Sequence, residues 1–219
     1  LQPFWVLYFF SDITAYVLYA IVRYRRQIVF ENINGSFPNN TPSQNKKIAQ
    51  QFYRNFTDNW VETIKLITLS KKAILRRNLG NAALLHQLYT EGKTVATICG
   101  HFFNWEYLNV YLNLHWPGEM LTVYMPLSDK PMNRLFLYIR GRFGTNLMSA
   151  TSLNKEIIPW RRKQYLIGLV ADQSPANPWN AYWLQFLNRP SAVLTGPERN
   201  VQVLGQVPVF VQVSRLKRG

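Results

Sequence analysis

The chain has 219 residues, with 25 Lys or Arg against 11 Asp or Glu, a balance of +14 with three His taken as neutral. Hydrophobic residues make up 47% and aromatics 15%, while 16% are charged, which supplies a sizeable core and excludes wholesale disorder. One cysteine, Cys99, excludes a disulfide framework and a multi-cysteine zinc site, and the basic surplus points to an anionic partner: nucleic acid, a lipid surface or an acidic protein.

Residues 4–22, FWVLYFFSDITAYVLYAIV, are apolar or aromatic at all but Ser11, Asp12 and Thr14. About 20 such residues are long enough to cross a bilayer as a helix. Arg23, Arg25 and Arg26 follow, and a basic flank of this kind predicts that this end stays cytoplasmic. Residues 1–26 are therefore expected to be a transmembrane or membrane-anchoring helix. A cleaved signal peptide would carry its basic residues ahead of the apolar run. Asp12 is costly near mid-span unless it is paired, protonated or kept out of lipid.

Residues 31–42, ENINGSFPNNTP, are predicted as a polar loop, with Ser43 capping the next helix. Apolar side chains then recur at helical spacing at Ile48, Phe52, Phe56, Trp60, Ile64 and Ile67, and basic residues run from Lys46 to Lys71, Lys72, Arg76 and Arg77. That pattern fits a helix lying on an anionic membrane, and it equally fits a helix facing a core. Residues 27–92 are taken together as linker and amphipathic helical region.

From residue 93 short β-type runs alternate with helical stretches. Strands are predicted at 94–99, 120–124, 145–148, 165–171 and 207–213. Helices are predicted at 104–114, 131–142, 152–162 and 197–204. The alternation argues an α/β core over 93–219 with a largely parallel or mixed sheet flanked by helices. The last strand lies close to residue 219, so further elements of that core are expected beyond it.

In such sheets chemistry gathers in loops at the carboxyl ends of strands. The first such loop is Gly100-His101-Phe102-Phe103-Asn104-Trp105-Glu106, in which Asn104 can cap the following helix and Glu106 falls in its first turn. A carboxylate on one imidazole nitrogen fixes the tautomer and leaves the other nitrogen to take a proton from an alcohol. Glu106 can fill that role. So can Asp172, which with Gln173 follows the strand at 165–171 and can alternatively hold a polar substrate group. Arg140 and Arg142, in Arg140-Gly141-Arg142-Phe143-Gly144, can bind phosphate or polarise a carbonyl. Cys99, His86 and His115 are read as structural. No zinc spacing, phosphate-binding loop or dinucleotide fingerprint is present.

His101 and Glu106, with four residues between them, form the His-x4-acid pattern of the glycerolipid and lysophospholipid acyltransferase superfamily. With Glu in the acidic position and Asn104-Trp105 before it, the motif resembles the bacterial lipid A biosynthesis acyltransferases, the late lauroyl and myristoyl enzymes. Tyr24-Arg25-Arg26, Asn32 to Pro38, Phe52 to Phe56, Arg140 to Gly144, Ala171-Asp172-Gln173 and Gly196-Pro197-Glu198 resemble that family too. The resemblance implies an inner-membrane enzyme with its catalytic domain in the cytoplasm. It would move a fatty acyl chain from acyl carrier protein to a hydroxyl of a phosphorylated lipid A precursor, without metal or other cofactor.

On this resemblance His101 is the base and Glu106 its partner, Arg140 or Arg142 stabilises an oxyanion or binds phosphate, and Asp172 helps to organise the site. Asn104 and Gln173 are placed with Arg142 as substrate-binding residues. Competing expectations are another glycolipid or lysophospholipid acceptor, or a membrane-anchored lipid-binding protein without catalysis. Nucleic acid becomes the weakest candidate, because the basic residues are dispersed and no recognised module is present.

Overall fold

The computed structural model describes residues 2–77 and 80–218, and the chain forms two compact units. The first comprises Leu1–Lys65, Ser174–Val193 and Leu216–Gly219; the second comprises Leu66–Gln173 and Leu194–Arg215.

In the first unit, α1 (Phe4–Tyr16) continues through a π-helical turn, Val17–Ile21. Together they give an unbroken apolar helix of 18 residues, about 27 Å long at 1.5 Å per residue and close to the thickness of a hydrocarbon layer. The helix stops where Arg23 and Arg25 take left-handed backbone conformations, φ 55° and 49°. Helix α2 (Arg26–Ser36) begins there, so the loop expected over 31–42 is largely helix: Ile33 is buried on α2, and only 37–41 are irregular. Helix α3 (Pro42–Lys65) starts one residue before Ser43. Thr41 Oγ1 accepts from the N–H of Gln44 while Gln44 Oε1 accepts from the N–H of Thr41, a reciprocal capping box with Pro42 at the first helical position.

Helices α1 and α3 run antiparallel along a polar seam. Tyr8 donates to Glu62, and Ser11 donates to Thr57 and Asp58. Asp12, the costly residue of the apolar segment, is paired with Arg54 and Arg218, and Arg218 also reaches the buried Asp58 at 2.8 Å. Ala49, Tyr53, Thr57 and Asp58 form the buried face of α3. Its apolar stripe faces outward instead, with Phe52, Trp60 and Ile64 all exposed. Lys71 and Lys72 lie not on this helix but on α4 (Lys71–Arg77), after a break at 66–70.

The remaining element of this unit escaped sequence reading: a ribbon of β5 (Tyr182–Phe186) and β6 (Arg189–Val193). Arg189 fixes it to α2, donating to Asn32 Oδ1 and the carbonyl of Glu31, both at 2.8 Å. Gly35 makes room for this. A Cβ there would lie 2.3 Å from Arg189 Nε.

The second unit holds α4, α5 (Ala83–Thr90), β1 (Val95–Cys99), α6 (Trp105–His115), β2 (Glu119–Tyr124), α7 (Lys130–Gly141), β3 (Asn146–Ser149), α8 (Leu153–Glu156), β4 (Tyr165–Val170), α9 (Gly196–Leu204) and β7 (Val207–Phe210). The strands form one parallel sheet in the order β3-β2-β4-β1-β7. Strand alternation sends Val95, Met120 and Leu166 to one face, against Leu85, Leu88, Leu112 and Trp116. Ala96, Leu121, Ile167 and Leu169 go to the other, against Ile157 and Leu204. Both faces are covered, as parallel sheets require, and each buried Leu, Ile or Val contributes roughly 1.5–3 kcal/mol.

Two predicted elements differ. The helix expected over 152–162 is one turn followed by a 3-10 turn at Ile158–Trp160, because Pro159 removes a donor and clashes with the preceding turn. The strand expected over 207–213 is a half-exposed edge strand ending at Phe210, and Pro208 sits there because an edge tolerates a missing N–H.

Candidate active site

Strands β1 and β4 are central neighbours in register, Cys99 beside Val170, and the N–H of Ala171 donates to the carbonyl of Cys99 at 3.0 Å. Their carboxyl ends therefore deliver His101 and Asp172 side by side. His101 Nδ1 lies 2.6 Å from Asp172 Oδ1, and the His101 backbone N–H donates to Oδ2 at 2.7 Å. One carboxylate holds both the ring and the main chain of the same residue. The ring also packs edge-on against Trp105, with centroids 4.7 Å apart. Its Nε2 makes no hydrogen bond among the described residues. The side chains are 30% and 37% exposed, accessible without being loose.

Two backbone features make this approach possible. Gly100 lets the carboxylate come close, since a Cβ at that position would lie 2.9 Å from Asp172 Oδ2 and 2.6 Å from Phe102 Cε2. Phe103 takes φ 47°, a left-handed conformation that costs an L-residue about 1–2 kcal/mol and turns the chain sharply into α6. Asn104 then caps α6, its Oδ1 accepting from the N–H of Tyr107 at 3.2 Å.

Glu106 is not on His101. Successive helical residues point about 100° apart, so where Trp105 faces the imidazole, Glu106 turns toward α7. There it meets Arg140: Nη2 donates to Oε1 at 2.6 Å, and Nε lies 2.9 Å from Oε2 and 3.1 Å from Oε1. The Glu106 side chain is 4% exposed and the Arg140 side chain 20%. A fork of this geometry is among the strongest hydrogen-bonded ion pairs. The pair is braced by Asn109, which donates to the carbonyl of Arg140 and accepts from Thr122 of β2. The expected His101–Glu106 pairing is thus replaced by His101–Asp172 and Glu106–Arg140.

Arg142 points elsewhere: its Nη1 donates to the carbonyls of Leu66 and Leu69, the latter at 2.7 Å. Two main-chain acceptors thus occupy one nitrogen of the guanidinium expected to meet a substrate phosphate. Asn104 is mostly buried at the helix cap, and Gln173 is exposed without a side-chain hydrogen bond among the described residues. Cys99 is buried and its Sγ faces the carbonyl of Leu169 at 3.6 Å. Burial and then the Asp172 charge push its thiol up to about 11, which removes it as a nucleophile. His115 stacks against Tyr111, and burial, with His86 adding a smaller effect, pushes its imidazole down. Among the described residues no three His, Cys, Asp or Glu side chains converge as a metal ligand set would require.

Gly100 and Trp105 were missed in the sequence. The signal for Gly100 was a small residue directly before the loop His; for Trp105 there was none, because an aromatic at a helix start is usually core. Comparison with known proteins gives one family match: the description "bacterial lipid A biosynthesis acyltransferase" fits over residues 1–219. No curated protein matches the chain.

Proposed function

The chain belongs to the bacterial lipid A biosynthesis acyltransferase family, and from that premise we propose that it transfers a fatty acyl group from acyl carrier protein to a hydroxyl of a phosphorylated lipid A precursor. The observation that carries the mechanism is the double attachment of His101 to Asp172. Asp172 accepts the proton on Nδ1, so Nε2 presents its lone pair to an incoming alcohol.

In this reading His101 Nε2 takes the proton of the acceptor hydroxyl as its oxygen attacks the thioester carbonyl. The resulting imidazolium is stabilised by the Asp172 carboxylate. The tetrahedral intermediate collapses with breakage of the C–S bond, and His101 returns the proton to the departing thiolate. The new O-acyl ester and the free thiol balance the thioester and alcohol consumed. A thioester is already activated, so base assistance of roughly 100- to 10,000-fold and stabilisation of the oxyanion supply the remaining catalysis.

Glu106 and Arg140 take roles that follow their pairing. Together they brace α6 against α7 behind the His101 loop. Arg140 Nη1 is the one guanidinium nitrogen not committed to Glu106, and we assign it to the oxyanion or a substrate phosphate. Asn104 holds the loop through its cap, and Gln173 is assigned to polar contact with the acceptor. The basic surplus suits an acidic carrier protein, a phosphorylated acceptor and an anionic bilayer. The apolar helix with its arginine flank supports attachment to the inner membrane with the catalytic residues in the cytoplasm.

The test is acyl transfer by the purified membrane protein, with acyl carrier protein thioester as donor and a phosphorylated lipid A precursor as acceptor, product being read by mass spectrometry. Transfer by the wild type and its loss in a folded His101→Ala variant is the expected result. Undiminished transfer by that variant would overturn the assignment of the base. Unchanged lipid A in a strain lacking the gene would move the acceptor to another lipid.

A further inference from the structure

We propose that the β5–β6 ribbon is a second membrane-contact element. It lies shallowly at the headgroup–acyl boundary, with the face carrying Tyr182, Leu184 and Phe186 turned into lipid. The segment Ser174–Val193 contains no acidic residue and a single basic one, Arg189, whose guanidinium is already engaged by Asn32 and the carbonyl of Glu31. Every residue of β5 is exposed. Alternation along the strand puts Tyr182, Leu184 and Phe186 on one side, with Val193 directly across from Tyr182. Trp179, 92% exposed, adds an indole just before the strand.

A two-stranded ribbon is marginal in water, and a contiguous apolar face of this kind marks an interaction surface. The occupant follows from chemistry and continuity. Trp and Tyr favour the bilayer interface, where ring and polar tip are both satisfied. Strand β5 has no ionised group to desolvate there, and the one charge of the ribbon, Arg189, is held against α2. The ribbon is also fixed to α2, which begins at Arg26, where the apolar helix and its basic flank end. Asn188 Nδ2 adds a bond to the carbonyl of Ser36 at 3.2 Å. Depth is limited by the outer strand edges, whose unpaired N–H and C=O groups are expensive in hydrocarbon but not among headgroups.

The turn carries a further sign. Leu187 and Asn188 take φ 48° and 63°, as a tight hairpin requires. Asn suits such a position and Gly would suit the other. Leu is retained at a conformational cost, and its side chain is exposed. An apolar side chain held outward at that cost is consistent with contact to lipid.

The proposal rests on the reading of Phe4–Ile21 as the primary anchor, and the experiment separates the two. Cysteine is introduced at Tyr182 or, in a second variant that keeps the aromatic, at Val193, and as a control at the exposed Phe9. Each is labelled with an environment-sensitive nitrobenzoxadiazole maleimide. Cys99 is buried with its thiol pushed up to about 11, so it does not compete. The full chain is placed in vesicles of phosphatidylethanolamine and phosphatidylglycerol containing brominated phosphatidylcholine.

The expected result is a blue shift and loss of emission at Tyr182 and Val193 with lipid brominated high in the acyl chain. Bromine near the chain end should quench them less, and iodide in the water little. A label at Phe9 that senses lipid while those at Tyr182 and Val193 stay open to iodide would overturn the ribbon proposal and leave the anchor standing. Iodide access at all three would overturn both. Shielding of the ribbon labels that depends on protein concentration and not on lipid would give the face to a second copy and also overturn the proposal.

Discussion

His101 and Asp172 come from loops 71 residues apart, yet one carboxylate holds both the imidazole Nδ1 and the backbone N–H of the histidine. Replacing Asp172 by Asn keeps an acceptor for the N–H but can place an amide N–H against Nδ1, which favours the wrong tautomer. The expected loss in kcat is on the order of 100- to 10,000-fold, with the fold retained and donor KM little changed. Steady-state acyl transfer alongside circular dichroism checks it. Wild-type turnover in Asp172→Asn would return the partner's role to Glu106.

The same pairing depends on a residue without a side chain. Gly100→Ala would set a methyl 2.9 Å from Asp172 Oδ2 and 2.6 Å from Phe102 Cε2. The Phe102 ring is exposed and can swing away, but the carboxylate cannot yield without releasing His101. Activity should therefore fall at least tenfold while thermal stability moves by only about 1 kcal/mol, within the usual range for single substitutions. A variant with wild-type kcat would show that the close approach is dispensable.

Glu106 and Arg140 predict the reverse pattern. Removing one member of a buried pair leaves the other charge without a partner, which costs about 3–5 kcal/mol. Glu106→Gln should lower Tm markedly. The double variant Glu106→Gln/Arg140→Met should recover part of the loss, because no charge is then stranded. If Glu106→Gln instead keeps wild-type stability and loses only turnover, Glu106 acts on the reacting groups and not through Arg140.

Much of the second unit was legible because its signals are local. The runs TVATIC and YLIGLVA are short, β-branched or aliphatic and bounded by breakers, and both became central strands. Which carboxylate meets His101 was not legible. The i+5 spacing made Glu106 a natural partner, but pairing is decided by the direction each side chain takes from a helix whose rotation no spacing encodes. Asp172, far away in sequence, arrives through strand register. The ribbon at 182–193 was hidden for another reason: Pro190 and a Leu-Asn turn carry weak strand and hairpin signals, and tertiary bonds from Arg189 to α2 stand in for them. The outward stripe of α3 shows the limit of periodicity, which finds a face but not what covers it.

Arg142 supplies a fourth test. Its guanidinium bonds the carbonyls of Leu66 and Leu69, which lie in the break at 66–70 before α4. Arg142→Ala should destabilise the protein by about 1.5–3 kcal/mol, the range for a hydrogen bond to a charged group, and leave acceptor KM unchanged. Arg142→Lys should restore part of the loss, since both bonds leave the single nitrogen Nη1 and one ammonium has donors for both carbonyls. A rise in acceptor KM without loss of Tm would place Arg142 on the substrate instead.

Cys99 links the site to pH. Burial raises its thiol from an ordinary value near 9 to about 11, with the Asp172 charge adding to the effect. Between those values the unfolded chain has released a proton that the folded chain still holds, so this group's contribution to stability falls as pH rises through that window and is intact below it. At pH 8 only about one folded molecule in a thousand carries the thiolate, against about one in ten unfolded. Alkylation by iodoacetamide, followed by mass spectrometry, should therefore be at least 100-fold slower in the folded protein than in denaturant. Asp172→Asn should speed it slightly, because the second cause of the shift is gone while the first remains. A folded Cys99 alkylated at the rate of an unfolded thiol would contradict both its burial and its exclusion from the chemistry.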